Sequence, residues 1–460
     1  MDKNRLNKNI RIAFFLYIFL FGILVVYFTK LSFFDSKNMV NTPLNPRVQV
    51  VPPFIEKGDF YSKDMVKLTD RGAEKTYIYD NLYAHTIGYS KNGISSLEAW
   101  QGLTLSNASN ELYQSIKQYV TDEGVIKGDS IGLTIDHNLQ LMVADMLSNK
   151  TGAILVMNPT TNNILASYSS PSFDPNNVNA DVLNSGDNSQ LINRVNQGLY
   201  PPASTFKVVS TLAFIRNYED YENYRYTCTG EIVKNGETIS CYNHNVHGEI
   251  GLKEALTHSC NTFFISLSDY ITKEQLEETA NSLLFNQKLD VDFDVNASVF
   301  PSLETDSDFY HALIGQGDVL ITPLHLGTIF SAIANGGVSM QPQVVGELYN
   351  YNLKSKKVYY PKKLAQLITL EESIILSDLL DSVAYNGTAS ALSTQNYGIV
   401  SKTGTAEVLD KADHGIFVGY APKDNPKVMV TILYENIGGS SYTLSDVQKI
   451  FDYCLLENLE

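Results

Sequence analysis

A serine and a lysine three residues apart are the first pair whose spacing suggests chemistry. Ser204 and Lys207 lie in the stretch Tyr200-Pro-Pro-Ala-Ser-Thr-Phe-Lys, whose two prolines favour a helix that begins just before the serine. Residues three apart share a helix face, so the amine of Lys207 can take the hydroxyl proton of Ser204 if burial lowers its pKa. The amides of a helix N-terminus can also bind a developing oxyanion. Taken alone, this tetrapeptide fits an N-capping serine and a solvated lysine better.

A second hydroxyl motif, Ser259-Cys260-Asn261, closes the helical run 252–258. Its serine could relay a proton, and its asparagine could bind an amide group of a substrate. Capping of a helix end explains a serine and an asparagine at this place equally well.

The third motif, Lys402-Thr403-Gly404-Thr405, lies inside the apparent strand 397–408. Glycine in the interior of a strand often marks the close approach of a ligand or of another backbone. A cation and two hydroxyls beside that glycine suit an extended peptide that carries a carboxylate. An edge strand protected by a lysine is the alternative interpretation.

The elements around these motifs predict an α+β fold. Turn residues and apolar runs indicate strands that we expect to form an antiparallel sheet closed by terminal hairpins, at 152–158, 164–170, 397–407, 414–421 and 427–435. Apolar periodicity predicts helices at 203–216, 251–283, 323–335, 371–385 and 445–457. A strand at the start of 131–150 leads into a further helix, for which Asp136 is the predicted N-cap.

Composition narrows the class of protein. Apolar residues make up 44% of the 460 residues and charged residues 18%, as in globular proteins rather than disordered ones. The formal net charge of −16 argues against binding of nucleic acid, because contacts to phosphate need a basic surface. Four cysteines in a chain of this length exclude a disulfide scaffold.

The N-terminal region predicts a membrane anchor. Residues 12–29 carry no charge, and at 1.5 Å per residue they span roughly 27 Å, close to the ~30 Å hydrocarbon core of a bilayer. Lys3, Arg5, Lys8 and Arg11 precede this run, so we expect residues 1–11 to be cytoplasmic and the remainder to lie outside the cell membrane. A cleaved signal peptide is the rival interpretation, but its apolar region would be shorter and would end in small residues.

The chain beyond the anchor divides into two predicted regions. Residues 30–130 read as a proline-containing stalk followed by a small N-terminal module, and residues 131–460 as the catalytic domain. No sequence repeat of 20–50 residues is evident.

Together the three motifs resemble the signature of the penicillin-interacting enzymes, Ser-x-x-Lys, Ser-Asp-Asn and Lys-Thr-Gly, with Cys260 at the variable position of the second motif. They occur in the same order, with Ser259 placed 55 residues after Ser204 and Lys402 placed 143 residues after Ser259. Neighbouring segments, such as Gly315-Gln-Gly-Asp and His414-Gly-Ile-Phe-Val-Gly-Tyr, extend the similarity over most of residues 45–440. The chain resembles short class B penicillin-binding proteins, which implies a five-stranded antiparallel sheet with flanking helices and a helical subdomain.

The resemblance also implies roles for individual residues in a peptidoglycan D,D-transpeptidase. Ser204 would be the nucleophile and would also be acylated by β-lactams, with Lys207 as general base and Ser259 as proton shuttle. The remaining roles would be substrate binding, by Asn261, Lys402, Thr403, Gly404 and Thr405. The resemblance implies neither a metal ion nor an organic cofactor.

Three alternatives to cross-linking of stem peptides are a D,D-carboxypeptidase, a β-lactamase and a non-catalytic scaffold. A D,D-carboxypeptidase uses the same acyl-enzyme, a β-lactamase would need a deacylating base that the sequence does not reveal, and a non-catalytic scaffold would not need the three motifs. The resemblance further implies a partner for the membrane helix and residues 30–130, a membrane glycosyltransferase of the SEDS family.

Cys228 and Cys241 are 13 residues apart in a region that we expect to lie outside the membrane. A disulfide between them would close a short loop and contribute roughly 3 kcal/mol. Two reduced buried thiols are the alternative. With His244 and His247 the pair could also form a zinc site, although the two histidines are closer in sequence than is usual for such sites.

Overall fold

The computed structural model describes residues 3–30, 55–71, 76–90, 94–106, 120, 126–179, 189–393 and 397–457. The predicted apolar run lies in one long helix, Lys3–Lys30. Its segment Arg11–Lys30 has a mean hydropathy of 2.5, and none of it is buried against the rest of the protein. By length and composition this helix can cross a membrane.

The helices of the described residues are, in chain order, α1 (Lys3–Lys30), α2 (Ala84–Ile87), α3 (Ser96–Trp100), α4 (Gly102–Ser106), α5 (His137–Met146), α6 (Lys207–Asn217), α7 (Leu252–Thr257), α8 (Asn261–Ser266), α9 (Lys273–Ser282), α10 (Asp306–Leu313), α11 (Pro323–Ala334), α12 (Leu370–Asn386) and α13 (Leu444–Asp452). The strands are β1 (Ile55–Glu56), β2 (Phe60–Tyr61), β3 (Thr69–Asp70), β4 (Thr76–Tyr77), β5 (Ile126–Lys127), β6 (Ser130–Leu133), β7 (Gly152–Met157), β8 (Ile164–Ser170), β9 (Tyr226–Cys228), β10 (Glu231–Lys234), β11 (Glu237–Ser240), β12 (Gly248–Ile250), β13 (Val338–Met340), β14 (Val345–Tyr349), β15 (Ser355–Val358), β16 (Lys363–Gln366), β17 (Val400–Ala406), β18 (His414–Ala421) and β19 (Val428–Tyr434).

A five-stranded antiparallel sheet forms the centre of the molecule, in the order β17-β18-β19-β7-β8. The two ends of the domain therefore meet in one sheet, as the sequence predicts. Every residue of β19 is buried, because helices pack on the sheet and leave its central strands no solvent-facing side. Strand β17 lies at the edge, with Lys402 paired to Val418 and Gly404 paired to Ile416.

A second sheet joins the N-terminal region to the rest of the chain, in the order β15-β14-β6-β2. Strand β2 runs parallel to β6, and Phe60 pairs with Ile131. A buried ion pair between Arg71 and Glu98, 2.7 Å long, lies in the same region. Because this sheet takes strands from both sides of residue 131, the division into 30–130 and 131–460 stays a prediction.

Several predicted elements need correction. The helix expected over 251–283 is broken into α7, α8 and α9, because Ser259 adopts a left-handed φ of 56° between the first two. The terminal helix keeps its α form only to Asp452. The expected stalk falls mostly on residues 31–54, which lie outside the described residues, and its end at Phe60 is buried in a strand instead.

The N-cap prediction for Asp136 is confirmed, since its carboxylate accepts from the Leu139 amide at 2.8 Å.

Candidate active site

Ser204 lies on a short 3₁₀ turn, Ala203–Phe206, that continues directly into α6. The preceding Ala203 has a left-handed φ of 48°, and its amide donates to the Gly315 carbonyl at 2.8 Å. This turn leaves Ser204 partly exposed, whereas Lys207 is completely buried. The predicted start of a helix at the serine is confirmed, and the lysine lies inside the protein rather than in solvent.

Lys207 reaches the second motif through three hydrogen bonds. Its Nζ donates to the Ser259 carbonyl at 2.7 Å and to Asn261 Oδ1 at 2.7 Å, and lies 3.2 Å from Ser259 Oγ. The left-handed Ser259 turns the chain so that its carbonyl, its hydroxyl and the Asn261 amide face the same amine. The asparagine is fixed from its other side, because its Nδ2 donates to the Ser240 carbonyl at 2.9 Å.

Lys402 approaches the same hydroxyl from strand β17. Its Nζ lies 3.1 Å from Ser259 Oγ and donates to the Thr403 carbonyl at 3.1 Å. Two buried amines therefore converge on a single serine hydroxyl. The structure thus brings the three predicted motifs together at one place, with Ser259 between the two lysines.

The burial of both lysines changes their chemistry. Burial lowers the pKa of Lys207 to about 8, because a desolvated ammonium ion is unfavourable. Burial, followed by the nearby charge of Lys207, lowers the pKa of Lys402 well below its usual value. In the part of the chain that the structure describes, no carboxylate lies within ion-pair distance of either amine. A neutral amine at near-neutral pH is a competent general base.

Gly404 allows a close approach between two parts of the protein backbone, of which the sequence predicts only the glycine's side. A Cβ atom at this position would lie 3.0 Å from the Pro202 carbonyl oxygen and 3.2 Å from Thr205 Cγ2. The glycine therefore lets β17 approach the turn that carries Ser204. The close approach that a strand glycine predicts is therefore made here by the backbone of the Ser204 turn. The resemblance implies that the substrate also lies beside this glycine.

Two further residues that hold the site were not predicted as functional. Gly315 has a φ of 72°, and a Cβ there would lie 2.1 Å from the Ala203 carbonyl oxygen, so only glycine fits beneath the Ser204 turn. Thr388, in the loop after α12, shares a short hydrogen bond with the hydroxyl of Thr403. A sequence offers no local signal for either contact, because both partners are distant in the chain.

The predicted pair Cys228 and Cys241 is close in space but not bonded in this structure. Their Sγ atoms are 3.8 Å apart, whereas a disulfide bond is about 2.05 Å long, and both are free thiols. Cys260, between Ser259 and Asn261, is buried and lies next to the same pair.

Comparison with known families agrees with this geometry. The model of the penicillin binding protein transpeptidase domain matches residues 152–455, which hold all three motifs. The chain belongs to this family. The family and the fold that the sequence predicts are therefore confirmed, including the five-stranded antiparallel sheet.

Individual relatives of this penicillin-binding protein show how far the similarity reaches. The peptidoglycan D,D-transpeptidase MrdA of Acinetobacter baumannii is 28% identical over 423 residues, which are 84% of this chain but only 60% of that relative. The peptidoglycan D,D-transpeptidase PbpA of Mycobacterium tuberculosis is 28% identical over 453 residues, 89% of each chain. The structure of penicillin-binding protein A from M. tuberculosis as its penicillin G acyl-enzyme complex matches with a TM-score of 0.77 and 25% identity, over 87% of this chain and 99% of that chain.

Proposed function

We propose that this penicillin-binding protein is a serine D,D-transpeptidase that cross-links peptidoglycan stem peptides and is acylated by β-lactams. The observation that carries the proposal is the convergence of Lys207 and Lys402 on Ser259 Oγ, beside the turn that carries the partly exposed Ser204. The names of the relatives support the same activity. The acyl-enzyme structure supports capture of β-lactams.

The first half-reaction forms an acyl-enzyme. Ser204 Oγ attacks the carbonyl carbon of the penultimate D-Ala, and its proton passes to the neutral amine of Lys207. The tetrahedral oxyanion is bound by the backbone amides of Ser204 and Thr405. The bond to the terminal D-Ala then breaks, and the proton is returned to that leaving amine through Ser259. The product is free D-Ala and an ester on Ser204.

The second half-reaction uses the amine of a neighbouring stem peptide. That amine attacks the ester carbon, the base removes its proton, and Ser204 leaves with a proton restored. Before the terminal D-Ala leaves, Lys402 and Thr403 hold its carboxylate, and Asn261 binds an amide group of the donor peptide. Gly404 keeps strand β17 close enough to the Ser204 turn for both contacts to be made.

We further propose that helix α1 anchors the protein in the bacterial cell membrane with residues 1–11 in the cytoplasm. The basic residues before the apolar segment support this orientation. The catalytic region would then face the peptidoglycan outside. A SEDS-family glycosyltransferase contacting α1 and the N-terminal module is part of the same proposal.

The test is labelling of the full-length protein in detergent by a fluorescent penicillin, followed by a stem-peptide assay. We expect a stable one-to-one adduct that is lost in Ser204→Ala. With a pentapeptide and an amine acceptor, mass spectrometry should detect the cross-linked dimer together with free D-Ala. Release of D-Ala with only hydrolysed peptide would identify a carboxypeptidase, rapid decay of the label a β-lactamase, and no label on folded protein a scaffold.

A further inference from the structure

Four side chains with metal-binding atoms meet at the second motif, to which one of them belongs. Cys228 ends strand β9, Cys241 precedes a short turn, His247 leads into β12, and Cys260 stands between Ser259 and Asn261. We call these four residues the thiol–imidazole cluster. Its three cysteines are at most 4% exposed, and the histidine is partly exposed.

The distances within the cluster fit the edges of a tetrahedron. The Sγ atom of Cys241 lies 3.8 Å from that of Cys228 and 3.7 Å from that of Cys260. His247 Nδ1 lies 3.3 Å from Cys228 Sγ and 3.8 Å from Cys241 Sγ, and all four atoms lie within 4.8 Å of one another. Tetrahedral zinc with ordinary bond lengths places two sulfurs about 3.8 Å apart, and a sulfur and a nitrogen about 3.6 Å apart.

We propose that Cys228, Cys241, His247 and Cys260 bind one Zn²⁺ through three thiolates and one imidazole. A set of four protein ligands without an open position is typical of structural zinc sites. Binding releases the protons of three thiols to solvent. The ion takes no part in acyl transfer, so the expectation that the reaction needs no metal is unaffected.

Two other interpretations explain less of the arrangement. A disulfide would use only two of the three sulfurs, and the two closest contacts, Cys228 with Cys241 and Cys241 with Cys260, compete for the same one. Simple packing of apolar thiols does not explain why an imidazole nitrogen points at two of them. The hydroxyl of Thr262 lies 3.3 Å from Cys260 Sγ and 3.7 Å from Cys241 Sγ, where it can donate to bound thiolates.

The local backbone is shaped for the cluster. Strands β9 and β12 pair so that Cys228 lies opposite Gly248, the neighbour of His247. Two successive left-handed residues, Asn243 and His244, reverse the chain between Cys241 and His247. This turn brings His247 into the cluster and leaves out His244, the other histidine that the sequence offered for a zinc site.

The metal would also hold the catalytic loop, a consequence that rests on the proposed function. Cys260 is the residue between Ser259, which is left-handed, and Asn261, which binds Lys207. Fixing the Cys260 sulfur on an ion shared with three distant segments restricts both of its neighbours. Removal of the ion should therefore slow acylation of Ser204 roughly tenfold or more, by misplacing the partners of Lys207.

The first experiment measures metal and does not depend on activity. Full-length protein is purified in detergent under reducing conditions, and zinc is counted by inductively coupled plasma mass spectrometry. The protein is also freed of metal and titrated with Co²⁺ alone, whose thiolate charge-transfer and tetrahedral d–d absorption bands report the ligands. We expect one zinc per chain and one equivalent of bound Co²⁺ with both sets of bands.

Variants assign the ligands with matched controls. Cys241→Ser, Cys260→Ser and His247→Ala should each weaken the metal affinity tenfold or more and reduce the cobalt bands. Cys454→Ser, at the one cysteine outside the cluster, and His244→Ala should leave both unchanged. The wild-type cobalt spectrum decides the proposal even if a ligand variant does not fold. Wild-type protein that holds no zinc and gives no thiolate–cobalt bands when reduced would overturn it, as would a disulfide-linked form that cannot take up metal.

A second experiment separates the metal from the proposed function. The rate of acylation by fluorescent penicillin is measured before and after removal of zinc, and again after zinc is returned. We expect the rate to fall and then recover. Bound zinc with an unchanged rate would refute the role in holding the loop but keep the site, and the absence of any label would refute the proposed function while the metal count stands.

Discussion

The pKa of Lys207 makes the acylation rate a direct test of the proposed base. The amine is fully buried, and burial lowers its pKa to about 8. Only the neutral amine can accept the proton of Ser204, so the rate should follow the neutral fraction. A lysine with a lowered pKa gains neutral form as pH rises, and acylation should therefore increase through pH 8 and level off above it.

The size of the effect follows from this value. With a pKa of about 8 the neutral fraction is about one tenth at pH 7 and about nine tenths at pH 9, so the rate rises about tenfold and saturates. A lysine with an ordinary pKa of about 10.4 would instead give about a hundredfold rise over the same interval, without saturation. The shape of the profile therefore distinguishes a buried base from a solvated one.

The assay is stopped-flow measurement of the second-order acylation constant with a fluorescent penicillin, from pH 6 to 9.5. Ser204→Ala and a sample without protein correct for alkaline hydrolysis of the β-lactam. Lys207→Arg keeps the positive charge but cannot act as a base, and we expect it to lose about 10²-fold or more at every pH. A flat profile, a profile without a plateau, or an active Lys207→Arg variant would refute the assignment.

Three further changes test single contacts. Gly315→Ala places a Cβ 2.1 Å from the Ala203 carbonyl oxygen and should lower the free energy of unfolding by more than about 1 kcal/mol in denaturant titrations. Gly236→Ala is the matched control, because Gly236 also has a left-handed φ but has open space around it. This variant should lower the free energy of unfolding by less than Gly315→Ala does. Gly404→Ala crowds the Pro202 carbonyl oxygen at 3.0 Å and should slow acylation roughly tenfold by moving β17 from the Ser204 turn, with little change in melting temperature. A stem peptide with an amidated C-terminus should acylate Ser204 about 10²-fold more slowly than the free acid in a D-Ala release assay, because it lacks the charged partner of Lys402.

Each of these predictions can fail in a recognisable way. If Gly315→Ala and Gly236→Ala lower the free energy of unfolding equally, then the left-handed backbone conformation, and not the contact with the Ser204 turn, makes glycine necessary at position 315. A Gly404→Ala variant that acylates normally would show that the strand can shift without harm. Equal rates for the amide and the acid would remove the role of Lys402 in recognising the carboxylate.

The sequence predicts the framework of this site well for a physical reason. Ser204 and Lys207 are neighbours on one turn, and the strand around Lys402 contains the β-branched residues Val400, Thr403 and Thr405, so local rules place both. The antiparallel sheet follows from hairpin signals at its two ends. These features depend on residues close together in the chain, where period and turn chemistry apply.

Contacts between segments that are distant in the chain are harder to predict from the sequence. The break at Ser259 needs a left-handed residue that no propensity favours, and the surrounding residues continue a helical pattern, so the sequence predicts one helix where the structure has three. Gly315 matters only because Ala203 lies against it, which no local pattern reveals. The sequence offers Cys228, Cys241, His244 and His247 for a zinc site, but it shows neither which histidine lies beside the thiols nor that Cys260 lies next to Cys241.

The two lysines also explain why recognition of the substrate and activation of the nucleophile belong together. Neither Lys207 nor Lys402 lies near a carboxylate among the described residues, so an anionic substrate brings the first carboxylate to these two amines. A carboxylate beside Lys402 favours its protonated form, and that charge disfavours a second proton on Lys207, with which it shares Ser259 Oγ. Binding therefore increases the neutral fraction of the base at the moment when Ser204 has a carbonyl to attack. A substrate without the carboxylate does not favour the protonated form of Lys402 and leaves the base unbiased, so its defect should fall on the rate of acylation as well as on affinity.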